Sequence, residues 1–224
     1  MLIASNRKLN VSDMFSLMIE EARNNLMAVL LGAAVLVAVD MGIDELLGTT
    51  EDLRPLSVYL VVTLLSSILV QYLVLRSALS REDLLPERQP LRLATYLGMS
   101  LATGSLMLVG FLLFILPGIY LAGRWLLAGV IIIVEDQSIG DGMNQSWDRT
   151  AASAWPIAGA WGLLFISGSG VAMLPFFFSD TPPFAWEMFS ITLSYLMSIG
   201  GWLMALGTYR ALSGKEETLE NIFG

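Results

Sequence analysis

Between Arg92 and Glu135 the chain runs for 42 residues with a single charged side chain, Arg124. As one straight α-helix that stretch would extend ~63 Å, about twice the ~30 Å hydrocarbon core of a bilayer. It therefore crosses a membrane twice. Inside it, the segment LPGIYLAGR carries Pro117 and Gly118 next to each other. Proline removes a backbone donor and glycine admits turn geometry, so the pair predicts a tight hairpin at that point.

The rest of the chain has the same character. Hydrophobic residues make up 55% of it and charged residues 14%, against roughly 25% charged in a soluble domain. The mean hydropathy is +0.69. Six spans are predicted, at Leu26–Gly42, Leu56–Leu75, Leu93–Leu116, Gly118–Val134, Pro156–Phe178 and Trp186–Tyr209. Little chain is left outside them, so residues 1–224 read as a single transmembrane domain, an all-α integral membrane bundle. The first apolar run follows an amphipathic segment and has no small-residue cleavage pattern, and so reads as a retained span.

Orientation follows from where the cations fall. With the N-terminus cytoplasmic, Arg7, Lys8, Arg23, Arg76, Arg81, Arg88, Arg92, Arg149, Arg210 and Lys215 lie on the inner side and Arg54 alone on the outer. The outer segments carry Asp40, Asp44, Glu45, Glu51, Asp52, Asp180 and Glu187 instead. This is a strong positive-inside bias, and an even number of spans puts both termini in the cytoplasm. The expected location is a bacterial inner membrane.

Two inner segments have helical amphipathic spacing. In residues 11–24 the stripe is Val11, Met14, Phe15, Met18, Ile19 and Ala22; in residues 138–154 it is Ile139, Met143, Trp147 and Ala151, with Ser138 and Asp141 placed to cap the second helix. Both are expected to lie on the inner membrane surface. Each precedes two spans, a hint of a duplicated helix–span–span unit.

Arg124 is expected ~9 Å from the Pro-Gly turn, toward the outer face. Three readings stay open. Its side chain snorkels to the interface, or it pairs with Asp40 or Glu187 at other span ends, or it meets an anion such as a lipid phosphate or a carboxylate. Thr63, Ser67 and Gln71 repeat along the second span, and Ser190, Ser194, Ser198, Gly201, Ala205 and Thr208 along the sixth. Such faces suit close helix packing and, less simply, a solute path. The SGSG run from Ser167 to Gly170 suggests local flexibility in the fifth span.

Catalytic chemistry finds little purchase. Cysteine and histidine are absent, which removes thiolate and imidazole catalysis and the usual zinc and haem ligands. No cofactor is called for, and nothing points to nucleic acid. Glu135, Asp136, Asp141 and Asp148 cluster on the inner side without the spacing of a metal-dependent lipid phosphotransferase, and helix end charges account for them.

The order LPGIYLAGRWLLAGVIIIVED, a short polar break, then GMNQSWDRT resembles the YciC-like inner-membrane proteins and the membrane domain attached to some bacterial glycerophosphoryl diester phosphodiesterases. By that resemblance Pro117, Gly118, Arg124, Glu135, Ser146 and Arg149 occupy the motif positions. The motif match covers about a sixth of the chain; the six-span layout agrees over most of it. The resemblance implies a membrane bundle without an established activity, the diesterase chemistry belonging to a separate soluble domain. The leading expectation is thus a non-enzymatic accessory or scaffolding protein of the envelope. It would bind lipid, a membrane-protein partner or its own copies through the small-residue faces. The alternative is a small transporter or lipid carrier with an anion contact at Arg124.

Overall fold

The computed structural model describes residues 8–47, 53–81, 85, 92–178 and 183–223. Among them the secondary structure is helical throughout: α1 (Val11–Asn24), α2 (Leu26–Leu47), α3 (Leu53–Ser80), α4 (Leu93–Leu113), α5 (Ile115–Arg124), α6 (Ala128–Glu135), α7 (Ile139–Thr150), α8 (Ala154–Phe178) and α9 (Phe184–Phe223). A short 3-10 turn, Ala151–Ser153, joins α7 to α8. Six segments are long and apolar enough to cross a membrane; they fall on α2, α3, α4, α5 with α6, α8 and α9. Leu31, Leu60, Leu108, Leu112, Ile166 and Phe177 stand exposed along them, the outward apolar surface that lipid covers.

The chain reverses between α4 and α5 at Phe114, whose extended backbone (φ −161°, ψ 146°) ends one helix and starts the next. This corrects the expected turn at Pro117-Gly118, which lies instead in the first turn of α5. The physical reason is that Pro117 suits that position as well as a loop. The first amides of a helix have no intrahelical acceptor, so proline's missing N–H costs nothing there. Gly118 serves the contact between the two helices. A Cβ on it would lie 2.6 Å from the Phe111 ring, and one on Gly110 would lie 3.0 Å from the Gly118 Cα.

The fourth span is not one helix. It breaks between α5 and α6 at residues 125–127. Below the break α6 is sealed: Val130, Ile131 and Ile132 are fully buried among Leu75 and Leu79 of α3, Tyr96 and Met99 of α4, and Leu206 of α9. Above it, α5 lies along α8, so closely that a Cβ on Gly123 would meet the Ala158 backbone at 2.7 Å.

Neither amphipathic helix lies free on a surface. Asn10 and Asp13 close a capping box on α1 (2.9 and 3.0 Å). The helix then docks on α9 and α8, with Met14 fully buried and Leu17 against Gly207. Ile19, expected on the apolar stripe, is 46% exposed. α7 packs chiefly on α6, where a Cβ on Gly142 would come within 2.8 Å of Ile132. Because α1 and α7 choose different kinds of neighbour, the packing does not repeat a helix–span–span unit. On α7 the buried face is Gly142, Ser146 and Thr150, while Ile139, Met143 and Trp147 are half-buried and Ala151 is exposed, so docking on the bundle leaves part of each stripe facing outward.

Candidate functional site: a latched helix break beside a hydroxyl-lined cavity

A helix break inside a membrane must find partners for the backbone groups it frees. In a continuous helix the Arg124 carbonyl would accept from the Ala128 amide, and the Gly123 carbonyl from the Leu127 amide. Here the Ala128 N–H donates to the Trp125 carbonyl instead (3.1 Å). One side chain of α7 fills the gap. Ser146 Oγ donates to the Arg124 carbonyl (2.8 Å) and accepts from the Leu127 N–H (3.2 Å). Thr150 Oγ1, bonded to the Ser146 carbonyl at 2.7 Å, lies 3.2 Å from the same Arg124 oxygen. Both hydroxyl residues are fully buried.

A second latch closes the other end of α6. Arg149 of α7 grips Glu135 with both terminal nitrogens (2.5 and 3.1 Å), and the Tyr209 hydroxyl of α9 donates to the same carboxylate (2.8 Å). Asp136 ends α6 in the left-handed region (φ 58°) and pairs with Arg92, which also donates to the Gln137 carbonyl (2.9 Å). Asp141 is taken up by the α7 cap with Ser138 (2.6 Å). The inner-side carboxylates Glu135, Asp136 and Asp141 thus act in pairing and capping. On α1, Glu21 is buried and pairs with Arg210 of α9, a connection the sequence reading missed because 189 residues separate the partners.

Arg124 itself is 4% exposed. Its guanidinium lies over the Trp147 ring at 4.2 Å from the centroid, with Tyr120 at 5.9 Å. It forms no ion pair with Asp40 or Glu187: Asp40 accepts from the Tyr59 hydroxyl (2.6 Å), and no contact joins Glu187 to Arg124. Its depth also differs from expectation. Counted from the true reversal at Phe114 it lies ten residues, ~15 Å of helical rise, along the hairpin. Its neighbour Gly123 meets Ala158 near the start of α8, so Arg124 belongs to the membrane face from which α8 departs.

On the other side of the α5–α6 wall the spans border a cavity of about 410 Å³ that is open on one side, where Leu64, Gly104, Phe165 and Ser198 are exposed. Its polar lining comes from Ser67 and Gln71 of α3, Ser100 and Thr103 of α4, and Ser194 and Ser198 of α9. Gly168 and Ser169, from the SGSG run, complete it on α8. The small-residue faces of the second and sixth spans therefore turn toward a common space; Thr63 lies outside that lining. Among the described residues no charged side chain lines it, and Arg124 does not reach it, although Ala122 and Trp125 do. Tyr96 also faces this space, fully buried, with Ser100 as its polar neighbour and no well-formed hydrogen bond from its hydroxyl.

The motif positions named from sequence fall in three separate places: Gly118 at the α4–α5 contact with Pro117 exposed beside it, Arg124 and Ser146 at the break, and Glu135 and Arg149 at the second latch. Comparison with protein-family models, curated proteins and solved structures returns no match.

Proposed function

We infer that this multi-pass membrane protein binds an uncharged, amphipathic molecule of lipid-like chemistry in its intramembrane cavity. The observation that carries this reading is the lining: hydroxyls and one amide on apolar walls, with the Tyr96 hydroxyl beside Ser100 and without a well-formed hydrogen bond. A volume of about 410 Å³ falls in the range of small-molecule sites. An ion or a charged metabolite would have to give up its hydration there with no opposite charge to replace it, which costs several kcal/mol. A molecule with a hydroxyl or carbonyl on an apolar body meets no such penalty.

Within this reading the protein is a non-enzymatic accessory of the envelope, set in a bacterial inner membrane with both termini cytoplasmic, and a relative of the YciC-like proteins. The Ser146–Arg124 and Arg149–Glu135 contacts, which pair four of the six motif residues, support the relationship. Binding is preferred to scaffolding because the two inner amphipathic helices and the cavity-lining parts of the small-residue faces are already occupied within the bundle. Carrier function with Arg124 as its anion contact is disfavoured, since the guanidinium is turned away from the cavity.

Ser198→Leu tests the proposal. The leucine would project into the cavity without replacing a residue that holds helices together. Vesicles containing the wild-type protein are expected to bind or exchange a fluorescent diacylglycerol above the protein-free rate. The variant, equally well folded, is expected to lose most of that excess. Equal behaviour of the two proteins would refute cavity binding.

A further inference from the structure

Among the described residues Arg124 combines deep burial with the absence of any ion-pair partner. A buried guanidinium left alone is strongly disfavoured. Stacking on Trp147 offsets part of that cost. Stacking uses the face of the cation and leaves its in-plane donors free. The Nε–H is buried with no acceptor, and the terminal nitrogens make no hydrogen bond among the described residues.

Protein carboxylates do not compete for it. Glu135 is held by Arg149 and Tyr209, Asp40 by Tyr59, and Asp148 is exposed without a contact to Arg124. The root of the side chain is held in place. The backbone at its root is fixed by Ser146 and Thr150, and the ring of Trp147 lies against it. Tyr120 packs on Trp147 and Trp155 (6.2 and 5.1 Å), and Trp155 is 69% exposed at the start of α8. Indole rings concentrate at the level of lipid headgroups.

We propose that Arg124, backed by Trp147 and Tyr120, is a seat for a phosphate group, supplied by a phospholipid headgroup or by free phosphate. The planar fork of donors matches two phosphate oxygens, whereas a lysine would offer a point charge. The seat is separate from the cavity and stands or falls without it.

The protein in neutral maltoside detergent is titrated with phosphatidylglycerol and with diacylglycerol, followed by native mass spectrometry, and with inorganic phosphate, followed by tryptophan fluorescence. With the cavity filled by Ser198→Leu, the protein is expected to retain phosphatidylglycerol over diacylglycerol. Arg124→Gln is expected to weaken that binding roughly tenfold or more, while Arg81→Gln, at an exposed cation, leaves it unchanged. Binding of phosphatidylglycerol without a response to inorganic phosphate assigns the seat to a headgroup; a phosphate response lost in Arg124→Gln assigns it to the free anion. Equal phosphatidylglycerol binding by wild type and Arg124→Gln with no phosphate response lost in the variant, or a Ser198→Leu protein, its cavity filled, that binds neither phosphate source better than diacylglycerol, overturns the proposal. The second comparison does not use Arg124→Gln and decides even if that variant fails to fold.

Discussion

At the scale of single residues, the most economical feature is Ser146. One hydroxyl satisfies an acceptor and a donor that the helix break exposes, in a place where water cannot substitute. Ser146→Ala is expected to destabilise the protein by about 1–3 kcal/mol, because the Leu127 N–H is left buried and unpaired. Thr150 softens the loss at the Arg124 carbonyl only. Denaturation of the purified variant in mixed micelles measures this; an unchanged midpoint would mean that α6 and α7 do not depend on the latch. The sequence showed Ser146 and Arg124 as separate motif positions. That the serine bonds the arginine's backbone, and not its side chain, was not legible, since the partners lie 22 residues apart and meet only because α7 folds back along α6.

At the scale of elements, Pro117-Gly118 separates local rules from tertiary ones. Proline and glycine together suit a loop, but proline also suits the first turn of a helix, and glycine also suits a helix–helix crossing. Local spacing cannot choose between these. The Phe111 ring against Gly118 decides it. Two variants should therefore behave differently. Pro117→Ala is expected to change stability by less than about 1 kcal/mol, as at other first-turn prolines. Gly118→Val must displace Phe111 and is expected to cost about 1–3 kcal/mol or prevent the α4–α5 hairpin from closing. Thermal unfolding in detergent reads both, and a larger loss from the proline variant would contradict the assignment of Phe114 as the reversal. The amphipathic helices teach a related lesson. Their spacing identified them as helices with one apolar face, but not whether lipid or protein covers that face. Both cover apolar surface equally well in the pattern; the close approaches at Gly207 and Gly142 show where each helix meets the bundle, while Ile19 and Ala151 stay exposed.

At the scale of the whole molecule, charge distribution and apolar run length were sufficient for the six-span bundle, because the bilayer imposes segment length so strictly. The cavity was not legible. Ser67, Gln71, Ser194 and Ser198 form faces that would serve a tight interface or an open space with the same residues, and the outcome depends on how far apart the spans stand. The structure sets them around about 410 Å³ with the Tyr96 hydroxyl beside Ser100 at the wall. The central claim is that this space holds an uncharged amphipathic molecule. The most direct measurement is a density map of the wild-type protein in lipid nanodiscs, read between Tyr96 and Ser198. An elongated density there, with a polar end within hydrogen-bond reach of the Tyr96 hydroxyl or the serine and threonine hydroxyls, is the expected result. A space closed by inward movement of α3, α4 or α9, or one that holds nothing but scattered water, would contradict it.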